Sequence, residues 1–119
     1  MSNTMNYDLE DRTATFGQTV IVLVSKIPHT IINNSLIDQL VRSATSVGAN
    51  YMEADSASSK KDFRYKISIC KKEAKESIHW LRMVAVANQK YRNECQLLCQ
   101  EAHELVLIFS AILRHKPSA

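Results

Sequence analysis

Only four residues in this chain punctuate a helix: Gly17, Pro28, Gly48 and Pro117. Glycine is costly inside regular structure, and proline cannot donate a backbone hydrogen bond. With so few breaks in 119 residues, long segments run uninterrupted, which favours helices over a strand-and-turn architecture. The hydrophobic fraction of 45% suits a globular domain and argues against disorder. The length fits one domain, residues 1–119, built around one core.

Apolar periodicity between the breaks predicts four helices, at about 8–27, 36–56, 60–87 and 90–114. In the first, Leu9, Phe16, Val20, Leu23 and Ile27 form one stripe, and Pro28 stops it. Ser35 is the expected cap of the second, with Asp38 three residues on. Its stripe is Leu36, Leu40, Ala44, Val47 and Tyr51. Ser59 and Asp62 repeat the start signal for the third, whose core face carries Phe63, Ile69, Cys70, Ala74, Ser77, Trp80, Leu81 and Val84. Asn88 is the expected cap between the third and fourth. The fourth follows the three-four repeat through Cys95, Leu98, Cys99, Ala102, Leu105, Val106, Phe109, Ile112 and Leu113, with Pro117 beyond it. Four amphipathic helices with short connections predict an all-α, antiparallel up-down-up-down four-helix bundle.

No apolar run approaches the roughly 18 residues of a membrane span; Val20–Val24 is far too short. The N-terminus is polar and acidic, without the pattern of a signal peptide. Three Cys without paired spacing suggest reduced thiols and a cytoplasmic location. Cys95, Cys99 and His103 recur every four residues and could line one helix face for a metal. Both cysteines also belong to the apolar stripe, and no second ligand pair at zinc spacing exists. His29 and His115 read as exposed. There is no Gly-rich phosphate loop, nucleophile elbow or zinc-type His pair. The expectation is a non-enzymatic protein without metal or cofactor.

Ser43 to Asn50 contain no side chain larger than valine, and Gly48 costs about 1 kcal/mol of helix propensity against alanine. Small residues let another backbone approach closely. A second helix pressed on this face accounts for them, either within a tightly packed monomer or between subunits. Ile21 and Val22, off the main stripe of the first helix, add to the case for subunit association. Arg42, Ser46, Asn50 and Glu53 share a face of the second helix. Antiparallel pairing brings Arg42 level with Glu73 and Glu76. Arg42, Asn50, Glu53, Glu73 and Glu76 therefore read as a structural polar network rather than a catalytic set.

Charge is segregated along the chain. Residues 1–57 have net charge −3, residues 58–92 have +7, and residues 93–119 have −1. On a helical wheel Arg64, Lys71, Lys75 and Arg82 align in a narrow arc, flanked by Lys60, Lys61 and His79. Such a row is either an ordinary solvated face or a track for nucleic-acid phosphates. Few aromatics accompany it, so contact with RNA or DNA would be independent of base sequence.

The segment Gln39 to Ala54, followed by Lys61-Asp62-Phe63, Lys72-Glu73-Ala74-Lys75-Glu76 and Trp80-Leu81, resembles a known family. These are the four-helix-bundle proteins encoded in intervening sequences of bacterial large-subunit ribosomal RNA genes. The likeness runs from about Tyr7 to Arg114. Where many relatives carry a Trp-Gln pair, this chain has Thr15-Phe16-Gly17-Gln18. The resemblance implies an antiparallel bundle that assembles into homopentamers, and it attaches no catalytic role to the polar positions. A related family, the accessory variability determinant of diversity-generating retroelements, is a pentameric bundle that binds nucleic acid and a reverse transcriptase. The partners implied are further copies of this chain, RNA or DNA, and by the more distant likeness a reverse transcriptase.

Overall fold

Each helix begins or ends where a side chain satisfies its free backbone groups. The computed structural model describes the backbone of residues 4–115 and the side chains of residues 9–115. Pro117 lies outside them. Four helices follow in chain order: α1 (Thr4–Val24), α2 (Ile31–Asp55), α3 (Lys60–Ala87) and α4 (Arg92–Arg114), with a single 3-10 turn, Gln89–Tyr91, before α4. No strand occurs among the described residues. Successive helices pack side by side, so the chain runs up, down, up and down. The first and last helices touch only sparsely. The result is a rod of 52 × 25 × 19 Å.

The start of α3 is as expected: Ser59 is extended, and its hydroxyl accepts from the Asp62 amide at 3.0 Å. The start of α2 is not. Thr30 caps it, accepting from the Asn33 amide at 3.0 Å, and Ser35 lies inside the helix. Thr30 offers the same chemistry five residues earlier, and nothing between it and Ser35 breaks a helix. Helix α1 ends at Val24 rather than Ile27. A tight turn follows, with the Lys26 amide on Leu23 O and the Ile27 amide on Val24 O, and it folds Ile27 back into the core. Asn88 closes α3, donating to Val84 O at 3.0 Å. It also exchanges amide hydrogen bonds with Asn33 at 2.8 and 3.0 Å, which ties the α1–α2 connection to the α3–α4 connection.

The predicted stripes form the core. Leu9, Phe16, Val20, Leu40, Val47, Tyr51, Leu81, Val84, Leu105 and Phe109 are essentially inaccessible. On α3 it is Ile67, not Ile69, that is fully buried. Ile67 stands one turn before Cys70 on the same stripe as Ala74, Ser77, Leu81 and Val84, all buried as expected, whereas Ile69 lies beside that stripe. Trp80 packs against the core edge-on to His79, with ring centroids 4.8 Å apart; its Nε1 has no hydrogen-bond partner among the described residues. By length and composition Gln89–Arg114 could cross a bilayer, but its apolar stripe packs into the bundle.

The small residues of α2 have an explanation inside the chain. A Cβ added at Gly48 would stand 3.3 Å from Thr13 O, and one at Gly17 would stand 3.5 Å from Ala44 O. The two glycines let α1 and α2 approach backbone to backbone. Gly48→Leu should therefore destabilise the protein by about 1–3 kcal/mol, with Gly48→Ala much milder. Urea midpoints of the two variants and the parent check this; a Leu variant as stable as the parent would refute close packing here.

Candidate nucleic-acid interface

The predicted cation row lies on α3, a helix of 28 residues. Lys60, Lys61, Lys75 and Arg82 are exposed, and Lys71 is half-buried. From Lys71 to Lys75 the helix rises about 6 Å. His79 continues the exposed line between Lys75 and Arg82. Arg64 does not belong to this row. Its Nη2 donates to Leu113 O at 2.7 Å, and its Nη1 donates to His115 O at 3.3 Å. The end of antiparallel α4 lies beside the start of α3, and its last carbonyls lack helical partners. Arg64 satisfies them. Lys72 was missed by the wheel, yet it is exposed and shares a shallow depression with Ser68, Lys71, Lys75 and Glu76. The Lys71-Lys72 doublet was the available signal.

Carboxylates neutralise the seams of the bundle and not this face. Arg42 spans Glu73, at 3.2 and 3.4 Å, and Glu76. Glu73 is 8% exposed, so it depends on that guanidinium. Arg12 joins α1 to Glu101 and Glu104 of α4, and Lys26 reaches Glu94 at 3.1 Å. Lys66 holds Glu53 at 2.6 Å, a hydrogen bond that raises the lysine pKa above its ordinary value. The expected polar network is thus divided. Arg42, Glu73 and Glu76 form one cluster, and Glu53 pairs with Lys66. Asn50 donates to Ser46 O at 2.8 Å within its own helix. Counting antiparallel steps from the Arg42–Glu76 pair toward the α2–α3 turn would have located Lys66 opposite Glu53. Among the described residues, none of Lys71, Lys72, Lys75 or Arg82 is in an ion pair.

Comparison with known proteins bears on the same geometry. Residues 6–111 match the family described as 23S rRNA-intervening sequence protein. The chain belongs to that family. A crystal structure of a protein of unknown function from the S23 ribosomal protein family of Bacteroides thetaiotaomicron VPI-5482 has the same fold, with a TM-score of 0.79 and 25% identity. The likeness covers 90% of this chain and 99% of that one. No curated protein matches. Neither similarity carries a named activity.

In this intervening-sequence protein the candidate metal ligands of α4 are not brought together. Cys95 is buried, Cys99 faces α3 with its Sγ 3.8 Å from Ile78 O, and His103 is exposed. Among the described residues no group of three or more His, Cys, Asp and Glu could hold an ion. The thiols are also poor nucleophiles. Burial pushes Cys70 up to about 12 and Cys95 up to about 11, and it raises Cys99 as well. Burial, reinforced by Asp55, raises Tyr51 to about 12.

These shifts set a pH dependence. Each folded pKa lies above the unfolded value, 9.0 for thiols and 10.0 for tyrosine. The stability they contribute is complete below about pH 9 and is lost as pH rises toward 11–12. The urea midpoint should fall clearly between pH 8 and pH 10.5. An unchanged midpoint would contradict the burial of these groups.

Proposed function

We propose that this protein is a non-enzymatic, oligomeric accessory protein that binds the backbone of RNA or DNA through α3. The observation that carries this reading is the sorting of charge. The cations at the helix seams are matched by carboxylates or carbonyls, whereas Lys71, Lys72, Lys75 and Arg82 stand on one solvent face without a carboxylate partner among the described residues. A rigid row of cations at helical spacing suits phosphates, and few aromatics accompany it as platforms for bases. Lys60 and Lys61 extend the face toward the α2–α3 turn.

Assembly would multiply the row. Support comes from the groove between α1 and α2, lined by exposed Ala14, Ile21, Thr45, Ala49 and Met52. Gly48 and Thr45 are committed to contact with α1 within the chain, but exposed Ala49 and Met52 leave room for another copy. The resemblance described above implies five copies, and a pentamer is the stoichiometry proposed. Ile21→Glu with Met52→Glu should shift the sedimenting species toward monomer; an unaltered oligomer would remove this groove from the interface.

The nucleic-acid reading is tested by Lys71→Glu with Lys75→Glu and Arg82→Glu. Arg64 is excluded, because its loss would unseat the end of α4. Fluorescence anisotropy against mixed-sequence RNA and DNA should show binding by the parent and none by the triple variant. With three phosphate contacts on a single strand, log affinity should fall with log salt at a slope of about −2. Equal binding by parent and variant would overturn the assignment. A parent that binds nothing at low salt would favour a second reading, a protein-docking scaffold. That reading draws on Ile31, 92% exposed, with Ile32 and Val86 around the end of the bundle tied by Asn33 and Asn88.

A further inference from the structure

A cleft of about 640 Å³ opens between the first turn of α3 and the last turns of α4, well away from the Lys71–Arg82 face. Its size falls within the range of about 300–1,000 Å³ usual for small-molecule sites. Phe63, Ile108 and Ile112 form an apolar floor. All three are half-buried and lean on the core from one side only. Ala111 faces the cleft with a methyl group, where a larger residue would fill it.

The polar lining has one character. Among the described residues, Lys60, Arg64 and His115 are its polar members, every one can donate a hydrogen bond, and no carboxylate is among them. Neither Lys60 nor Arg64 is in an ion pair among the described residues. Arg64 is also fixed in place. Its hydrogen bonds to Leu113 O and His115 O occupy two of five N–H groups and hold the guanidinium at the rim. A donor already immobilised loses little freedom when a ligand arrives. An apolar floor under a rim of fixed and mobile cations matches one ligand chemistry.

We infer that this cleft binds an amphipathic organic anion, a carboxylate or sulfonate carried on an aliphatic body. The head group lies between Lys60 and Arg64, and the chain lies over Phe63, Ile108 and Ile112. Charge-assisted hydrogen bonds to Lys60 and Arg64 select the anion over a neutral analogue of the same length. The site shares Lys60 with the extension of the α3 cation face but none of Lys71, Lys72, Lys75 and Arg82, and its occupancy does not require nucleic-acid binding.

The test uses the full chain with labelled isoleucine methyl groups and decanoate below its micelle concentration as the probe. Decanoate should shift the Ile108 and Ile112 methyl resonances saturably and leave that of Ile67 in place. Decanol should bind at least about tenfold more weakly, one charge-assisted hydrogen bond being enough for that difference. Ala111→Trp, at an exposed position, should abolish the saturable shift while circular dichroism and the urea midpoint stay unchanged. Lys60→Gln should weaken decanoate and not decanol. Absence of saturable shifts in the parent, equal affinity for decanol, or undiminished binding by Ala111→Trp would each overturn the assignment.

Discussion

In the middle of the α2–α3 seam the hydroxyls of Ser43 and Ser77 meet at 2.9 Å, both fully buried. Ala44 and Ala74 stand beside them, equally buried, so the two helices are held close where their side chains are smallest. One hydroxyl donates to the other, and the accepting one donates to its own helix, Ser43 to Leu40 O at 3.2 Å or Ser77 to Glu73 O at 2.9 Å. The shared hydrogen bond forms in one register only: a slip would break it and set each hydroxyl against apolar side chains, with only its own helix carbonyl as partner. From that register follow Arg42 opposite Glu73 and Glu76, Lys66 opposite Glu53, and Cys70 against Val47 O.

The register also decides which α3 residues remain for function. Glu73 and Glu76 are drawn toward α2, and their charge is committed to Arg42. What is left on the outer face is positive. The negative carbonyl end of α4 lies against the first turns of α3, where Arg64 neutralises it. One helix therefore does three things along its length: it caps a neighbour, pairs with another, and presents cations to solvent.

The α1–α2 contact works differently. It depends on the absence of side chains, since Gly17 and Gly48 admit backbone of the facing helix at van der Waals distance. The α1–α4 seam has no such contact. It is bridged by ion pairs at Arg12 and Lys26, with exposed Val22 and Leu97 in the groove between. The exposed Lys26–Glu94 pair contributes little, about 0–1 kcal/mol, and the α1–α4 contact is sparse beside that of α1 with α2, so α1 is held mainly through α2.

Helix number, order and most of the core were determined by the sequence itself, because burial of one stripe per helix leaves a periodic record in the residue pattern. Ser59 and Asp62 announced α3 for the same local reason: a cap acts within its own turn. The Arg42–Glu73–Glu76 cluster was also legible, since antiparallel counting from the α2–α3 turn brings those positions together. Thr30 as the α2 cap was not, because two equivalent caps five residues apart compete and only the packing of the α1–α2 connection chooses between them. Arg64 is the sharper case. On a wheel it is one cation in a row; in the fold it is the cap of α4, because the partner carbonyls lie 49 and 51 residues away in sequence. Gly48 likewise reads as a cost to its own helix until α1 is laid against it. Local chemistry and periodicity are written in the chain, whereas the fate of a long polar side chain depends on which distant backbone end lies within its reach.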